Sequence, residues 1–229
     1  MKIGPGRRLR FSCRTVCLCL AVFLAAPQVL PQDSANAPPR SDARSESILI
    51  DRSAPAHAFP HYWEQMFGSG RAILSLRDSY RRDLRDVKQA TNFSYVRFHA
   101  ILHDEVGLYD EDASGNPVYN FSYIDQIYDG LLAAGVRPFV EVSFMPRKLA
   151  AQEILQPFWY KPVVAPPKDW NKWGDLVSHF AQHLVDRYGV EEVSQWYFEI
   201  WNEPNLDFWA GDPKEQTYYQ LYEIGRAHV

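Results

Sequence analysis

Glu203 stands in the run Phe198-Glu199-Ile200-Trp201-Asn202-Glu203-Pro204-Asn205, with Trp209 a few residues on. A carboxyl, an amide and two indoles together suit work on a sugar. The carboxyl can give a proton to a glycosidic oxygen, the Asn202 amide can bind a hydroxyl, and the faces of Trp201 and Trp209 can stack on a pyranose. Most glutamates are solvated surface residues, and a lone Glu-Pro carries no information. Glu203 is set apart by its place. Residues 195–202 read as a buried aromatic strand, and Pro204 ends it, because proline lacks an N–H and pushes the residue before it toward extended backbone. The carboxylate is therefore expected at the C-terminal end of a strand, at a polar mouth.

The elements that must position it alternate along the chain. Residues 62–67, 93–101, 137–144 and 195–202 read as strands, and the apolar run 47–51 as an edge strand. Residues 74–90 place Leu76, Tyr80, Leu84 and Val87 at helical spacing. Ser122, with Asp125 three residues on, has the form of a capping box for a helix that buries Ile124, Ile127, Leu131 and Leu132 and stops at Gly135. Asp169 is expected to cap a helix with Trp173, Leu176, Val177, Phe180, Leu184 and Tyr188 on one face and Gly189 at its end. Another helix covers 214–222. Gly68-Ser69-Gly70 reads as a flexible exit from the first strand, the stretch holding Gly107, Gly115 and Pro117 as a polar loop, and 145–167 as a long loop. Such alternation implies a parallel sheet with helical crossovers, either doubly wound or closed as a barrel. No glycine-rich phosphate fingerprint follows any strand. Polar and aromatic residues gather instead at strand C-termini (His99, Phe144, Asn202, Glu203), where a barrel keeps its active site. The expected fold is α/β, about four βα units with parallel strands, the first half of a (β/α)8 barrel over residues 61–223.

The chain has 229 residues, 46% of them hydrophobic and 14% aromatic, enough for one domain with a sizeable core. Residues 1–37 read as a secretory signal and leader: Lys2, Arg7, Arg8, Arg10 and Arg14 form a basic region before the apolar stretch 16–26, which is too short to span a bilayer. The alternative is an uncleaved anchor. A secreted or periplasmic location follows, with residues 38–60 a disordered or edge-strand lead-in. Cys13, Cys17 and Cys19 all fall inside the signal, so neither disulfides nor cysteine metal sites are expected beyond it. Beyond residue 37 there are 19 basic and 27 acidic residues, a balance of −8, which disfavours a nucleic-acid partner. His179 and His183 have a metal-ligand spacing on a helix but no Glu between them, and no metal or cofactor is expected. Ile224-Gly225-Arg226-Ala227-His228-Val229 is one reading frame of a common short-read sequencing adapter, so 224–229 is expected to be a non-native tail.

Several stretches together resemble family 39 of the glycoside hydrolases, the β-xylosidase and α-L-iduronidase family. They are Tyr95-Val96-Arg97-Phe98-His99, Tyr119-Asn120-Phe121-Ser122-Tyr123-Ile124-Asp125, Arg137-Pro138-Phe139-Val140-Glu141 with Phe144-Met145-Pro146, and Phe198 through Asn205. The Asn-Glu-Pro element alone would indicate only the wider clan of retaining barrel glycosidases. The resemblance implies a retaining mechanism on a carbohydrate substrate, with Glu203 as general acid/base at the end of the fourth strand. It implies Asn202 on the sugar 2-hydroxyl and His99, at the end of the second strand, on the glycone. Phe144, Trp201 and Trp209 are expected to complete the substrate site. A retaining site needs a second carboxylate about 5–5.5 Å away as nucleophile. The family's nucleophile ends the seventh strand, and this chain stops after the fourth. Glu141, Glu153 and Glu199 are not expected to replace it, so the nucleophile is absent and little activity is expected of the chain alone. A β-xylosidase is the expected parent, an α-L-iduronidase the alternative within the family, and a non-catalytic carbohydrate-binding barrel the alternative outside it.

Overall fold

A computed structural model describes residues 47–229 apart from Arg52 and Ala56. The expected signal segment and the three cysteines lie outside these residues. β1 (Met66–Arg71) follows a single 3-10 turn at Tyr62–Gln65. The first strand is thus displaced from its expected place at 62–67 and runs through Gly68-Ser69-Gly70 rather than ending there. Pairing decides this. Met66, Phe67 and Gly68 lie parallel to Tyr95, Val96 and Arg97 of β2 (Tyr95–His99), and the register then shifts before Arg71 meets His99. Gly70, at φ 48°, admits that irregularity without a Cβ clash. Residues 47–51 form no strand; a short apolar run fixes no ladder without a neighbour to pair with.

Between β1 and β2, α1 (Asp78–Thr91) ends at Asn92, whose left-handed φ of 55° closes the helix. The loop after β2 holds an antiparallel hairpin of β3 (Tyr109–Glu111) and β4 (Pro117–Tyr119), where only a polar loop was expected. α2 (Ser122–Ala133) starts without the expected capping box. Asn120 Oδ1 accepts from Ser122 N (3.0 Å) and Oγ (2.7 Å), while Asp125 turns to His183 (2.6 Å) and Arg187 (3.2 Å). Partners across the helix pair, one of them the Arg187 guanidinium, hold the Asp125 carboxylate more strongly than its own helix start would. β5 (Arg137–Val142) leads through the long loop to α3 (Trp170–Tyr188), where Asp169 caps as its sequence implies, accepting from Asn171 N (2.9 Å) and Lys172 N (3.4 Å). A single turn, α4 (Val190–Val193), precedes β6 (Tyr197–Ile200), and α5 (Lys214–Arg226) follows. Gly225 lets α5 sit close on the end of β6, since a Cβ there would lie 2.9 Å from Ile200 Cγ2.

The four parallel strands pair in the order β1-β2-β5-β6, the order in which they occur in the chain. A doubly wound sheet reverses its strand order at a switch point; a barrel adds each strand beside the last. The architecture is therefore that of successive βα units of a (β/α)8 barrel. Val96, Phe98, Val140, Val142 and Ile200 point into one core with Ile124, Ile127 and Leu131 of α2 and Trp173, Leu176 and Phe180 of α3. The alternate residues occupy the opposite face of the sheet. There Tyr197 meets Tyr95 edge to face at 4.9 Å and stacks on Phe139 at 5.5 Å. Next along the strands come Arg97, Glu141 and Glu199, a charged layer between this aromatic layer and the strand ends.

Candidate active site

β6 delivers Trp201, Asn202 and Glu203 at its C-terminal end. Asn202 is 3% exposed, and Glu203 is exposed. The backbone there is left-handed at two non-glycine residues, Trp201 (φ 75°) and Glu203 (φ 42°). Glu203 is therefore not extended, as the Pro204 rule implied. Tertiary anchors override the local preference: the Trp201 indole donates to Phe208 O (2.6 Å), and Leu206 N donates to Glu203 O (3.0 Å), closing a tight turn. Non-glycine residues with such backbone cost of order 1–3 kcal/mol and persist where surrounding packing determines them.

Arg97, which sequence reasoning left without a role, organises the polar groups. Its Nε lies 2.6 Å from Glu199 Oε2, and its Nη2 lies 3.0 Å from Glu199 Oε1, 2.8 Å from Asn202 Oδ1 and 2.7 Å from Glu141 Oε2. Burial opposes the guanidinium charge, but Glu199, Glu141 and Glu203 more than offset it and hold its pKa above the ordinary value. Glu141, fully buried, also faces His99 Nδ1 (2.6 Å) and accepts from Ser143 Oγ. The signal for Arg97 was available: it shares the strand parity of His99, two residues on, so both must lie on the same face. Glu141 and Glu199 are thus committed to Arg97, and Glu153 pairs with Arg147 in the loop. Of these four carboxylates, Glu203 is the exposed one that directly follows β6 and the buried Asn202.

The aromatic expectations need correction. Phe144, Trp201 and Trp209 are 0%, 1% and 2% exposed. Trp201 packs edge to face on Phe144 (5.6 Å) and Trp209 (5.1 Å), and the Trp209 indole donates to Thr217 Oγ1 (3.1 Å). Their faces are covered by one another, so they form a wall under the turn rather than a platform for a sugar. Large rings earn more by burial than by exposure. An aromatic that is open there is Trp159, 73% exposed, in the loop after β5. It borders a cleft of about 260 Å³ lined by Gly70, Arg71, His99, Phe158 and Tyr160, at the C-terminal ends of β1 and β2. Arg71 lies 4.1 Å from the Trp159 ring centre and 2.5 Å from Glu105 Oε1. The histidines at metal-ligand spacing go elsewhere: His183 stacks on Phe121 (3.8 Å) and His179 on Tyr119 (4.5 Å).

The sequence profile of glycosyl hydrolases family 39 matches residues 46–228. The chain is 45% identical over 170 residues to a β-xylosidase of Geobacillus stearothermophilus, covering 72% of this chain and 33% of that protein. It is 29% identical over 197 residues to the α-L-iduronidase of Canis lupus familiaris, covering 81% of this chain and 26% of the other. The structure of a family 39 β-xylosidase from Caulobacter crescentus superposes with a TM-score of 0.69 at 35% identity, covering 77% of this chain and 39% of that one. The chain thus spans about a third of the length of the relatives it matches.

Proposed function

The chain belongs to glycosyl hydrolases family 39, and from that premise we propose that the whole protein is a secreted retaining β-xylosidase with Glu203 as its general acid/base. One observation carries the assignment of Glu203. It follows the buried Asn202 at the end of β6 and is exposed at the mouth, while Glu141 and Glu199 are held by Arg97. In the first step the protonated Glu203 carboxyl gives its proton to the glycosidic oxygen as the bond to the anomeric carbon breaks. A second carboxylate, supplied in the whole protein by chain beyond α5, forms the glycosyl ester. In the second step Glu203, now ionised, takes a proton from water, whose oxygen displaces that ester. Asn202 and His99 hold glycone hydroxyls, and Trp159, with Arg71 4.1 Å from its ring centre, borders the cleft.

The test is hydrolysis of an aryl β-D-xyloside by the protein at the length of its relatives. Glu203→Gln is expected to lower turnover roughly 10²–10⁴-fold. Unchanged turnover would remove Glu203 from the chemistry, and tight glycan binding without turnover by the wild type would favour a non-catalytic barrel. An aryl α-L-iduronide in the same assay separates the other branch of the family. The 229-residue chain by itself is expected to turn over neither substrate, since Glu203 is half of a two-carboxylate pair.

A further inference from the structure

Arg97 contacts both polar groups assigned to the glycone, one directly and one through Glu141. It donates to Asn202 Oδ1 at 2.8 Å, and it lies 2.7 Å from the same Glu141 Oε2 that faces His99 Nδ1 at 2.6 Å. Asn202 Nδ2 is buried and has no hydrogen-bond partner among the described residues. A planar amide has two chemically opposite ends. With Oδ1 taken by a guanidinium, the end left over is the N–H donor pair. A flipped amide would turn its N–H groups toward the cation and leave them repelled. At His99 the logic is the same. A carboxylate at Nδ1 requires a hydrogen on that nitrogen, so the neutral ring keeps its lone pair on Nε2.

We infer that Arg97 is a positioning residue that sets the polarity of the Asn202 contact, so that Asn202 meets a hydroxyl as donor, while Glu141, which Arg97 also holds, keeps the hydrogen of His99 on Nδ1. This rests on the sugar reading of the site, although the polarity can be read without any sugar present. Glu199 is the counter-clamp. Its two oxygens take Arg97 Nε and Nη2 and fix the plane of the guanidinium, which a lysine ammonium at the same place cannot reproduce.

The experiment is nitrogen-15 NMR on the 229-residue chain, wild type against Arg97→Gln and Arg97→Lys, with Arg137→Gln as control. Arg137 makes an equivalent bidentate pair with Glu192 away from the mouth. The wild type is expected to show the Nδ1–H tautomer of His99 and a slowly exchanging Asn202 side-chain amide. In Arg97→Gln the amide should exchange at least about tenfold faster, while His99, still facing Glu141, should keep its Nδ1–H tautomer; xylobiose affinity, read from shifts at the two residues, should fall at least about tenfold. Arg97→Lys, which keeps the charge, should show the same changes and reads them if Arg97→Gln does not fold. Arg137→Gln should leave them in place. Wild-type exchange of the Asn202 amide in both Arg97 variants would overturn the inference. A wild type blind to xylobiose, with faster amide exchange in the variants, would uphold Arg97 as the positioning group while removing the sugar reading.

Discussion

Glu203 and Asn202 were legible as residues because a carboxyl after a buried strand is a departure from the ordinary distribution of glutamates. Their surroundings were not. Trp201 was read as a stacking surface because an indole near a carboxylate has two uses, and only burial tells them apart. At 1% exposure, with its N–H spent on Phe208 O, it is a structural anchor. Trp201→Ala is therefore expected to cost about 3–5 kcal/mol of folding stability, measured by urea unfolding. A loss below 1 kcal/mol would show that the ring is not a core element. Arg97 was missed for the opposite reason. A single arginine in a strand has no meaning until the strands pair and bring Glu141, Glu199 and Asn202 to it from more than forty positions away.

At the scale of elements, local signals worked where the whole signal was local. Asp169 caps α3 with its own side chain, and Asp169→Ala should lose about 1 kcal/mol, read from the shift in denaturation midpoint. Ser122 and Asp125 had the same local form, but cross-helix partners outcompeted it. The hairpin β3–β4 escaped notice because its strands are three residues each, and it is pinned by a long-range cluster. Glu111, 8% exposed at its side chain, sits between Lys168 (2.7 Å) and Lys172 (2.8 Å). Its desolvation works to raise the pKa, but hydrogen bonds from Lys168, Lys172 and Tyr109 prevail and lower it to about 2. A carboxyl whose pKa is depressed on folding adds stability at pH values above its unfolded pKa, and loses it as pH falls through the folded one. The hairpin contribution, roughly 1–2 kcal/mol after solvent screening, should therefore be present above about pH 4.5 and fade toward pH 2. Glu111→Gln should flatten the stability curve between those limits; an unchanged acid limb would place the acid-sensitive group elsewhere.

At the scale of the whole molecule, β1 and β6 each carry a neighbour on one side only among the described residues, and Tyr197, 50% exposed, lies on the face opposite the helices. Open parallel edges beside an aromatic layer favour pairing with another chain. The 229-residue chain is expected to self-associate, seen as a concentration-dependent mass in light scattering; a monomer across a hundredfold concentration range would show that these edges are protected. The sequence by itself determined the alternation of strands and helices, the parallel class of the sheet, and the place of Asn202 and Glu203 at a strand end, because hydrophobic period, helix stops and proline chemistry act within a few residues. It also carried the family, through motifs that keep their order. Only the tertiary structure decided the start of β1, the left-handed backbone at Glu203, the burial of Trp201, Trp209 and Phe144, and the commitment of Glu141 and Glu199 to Arg97. Each of those depends on groups that meet across the sheet, and no window along the chain contains both partners.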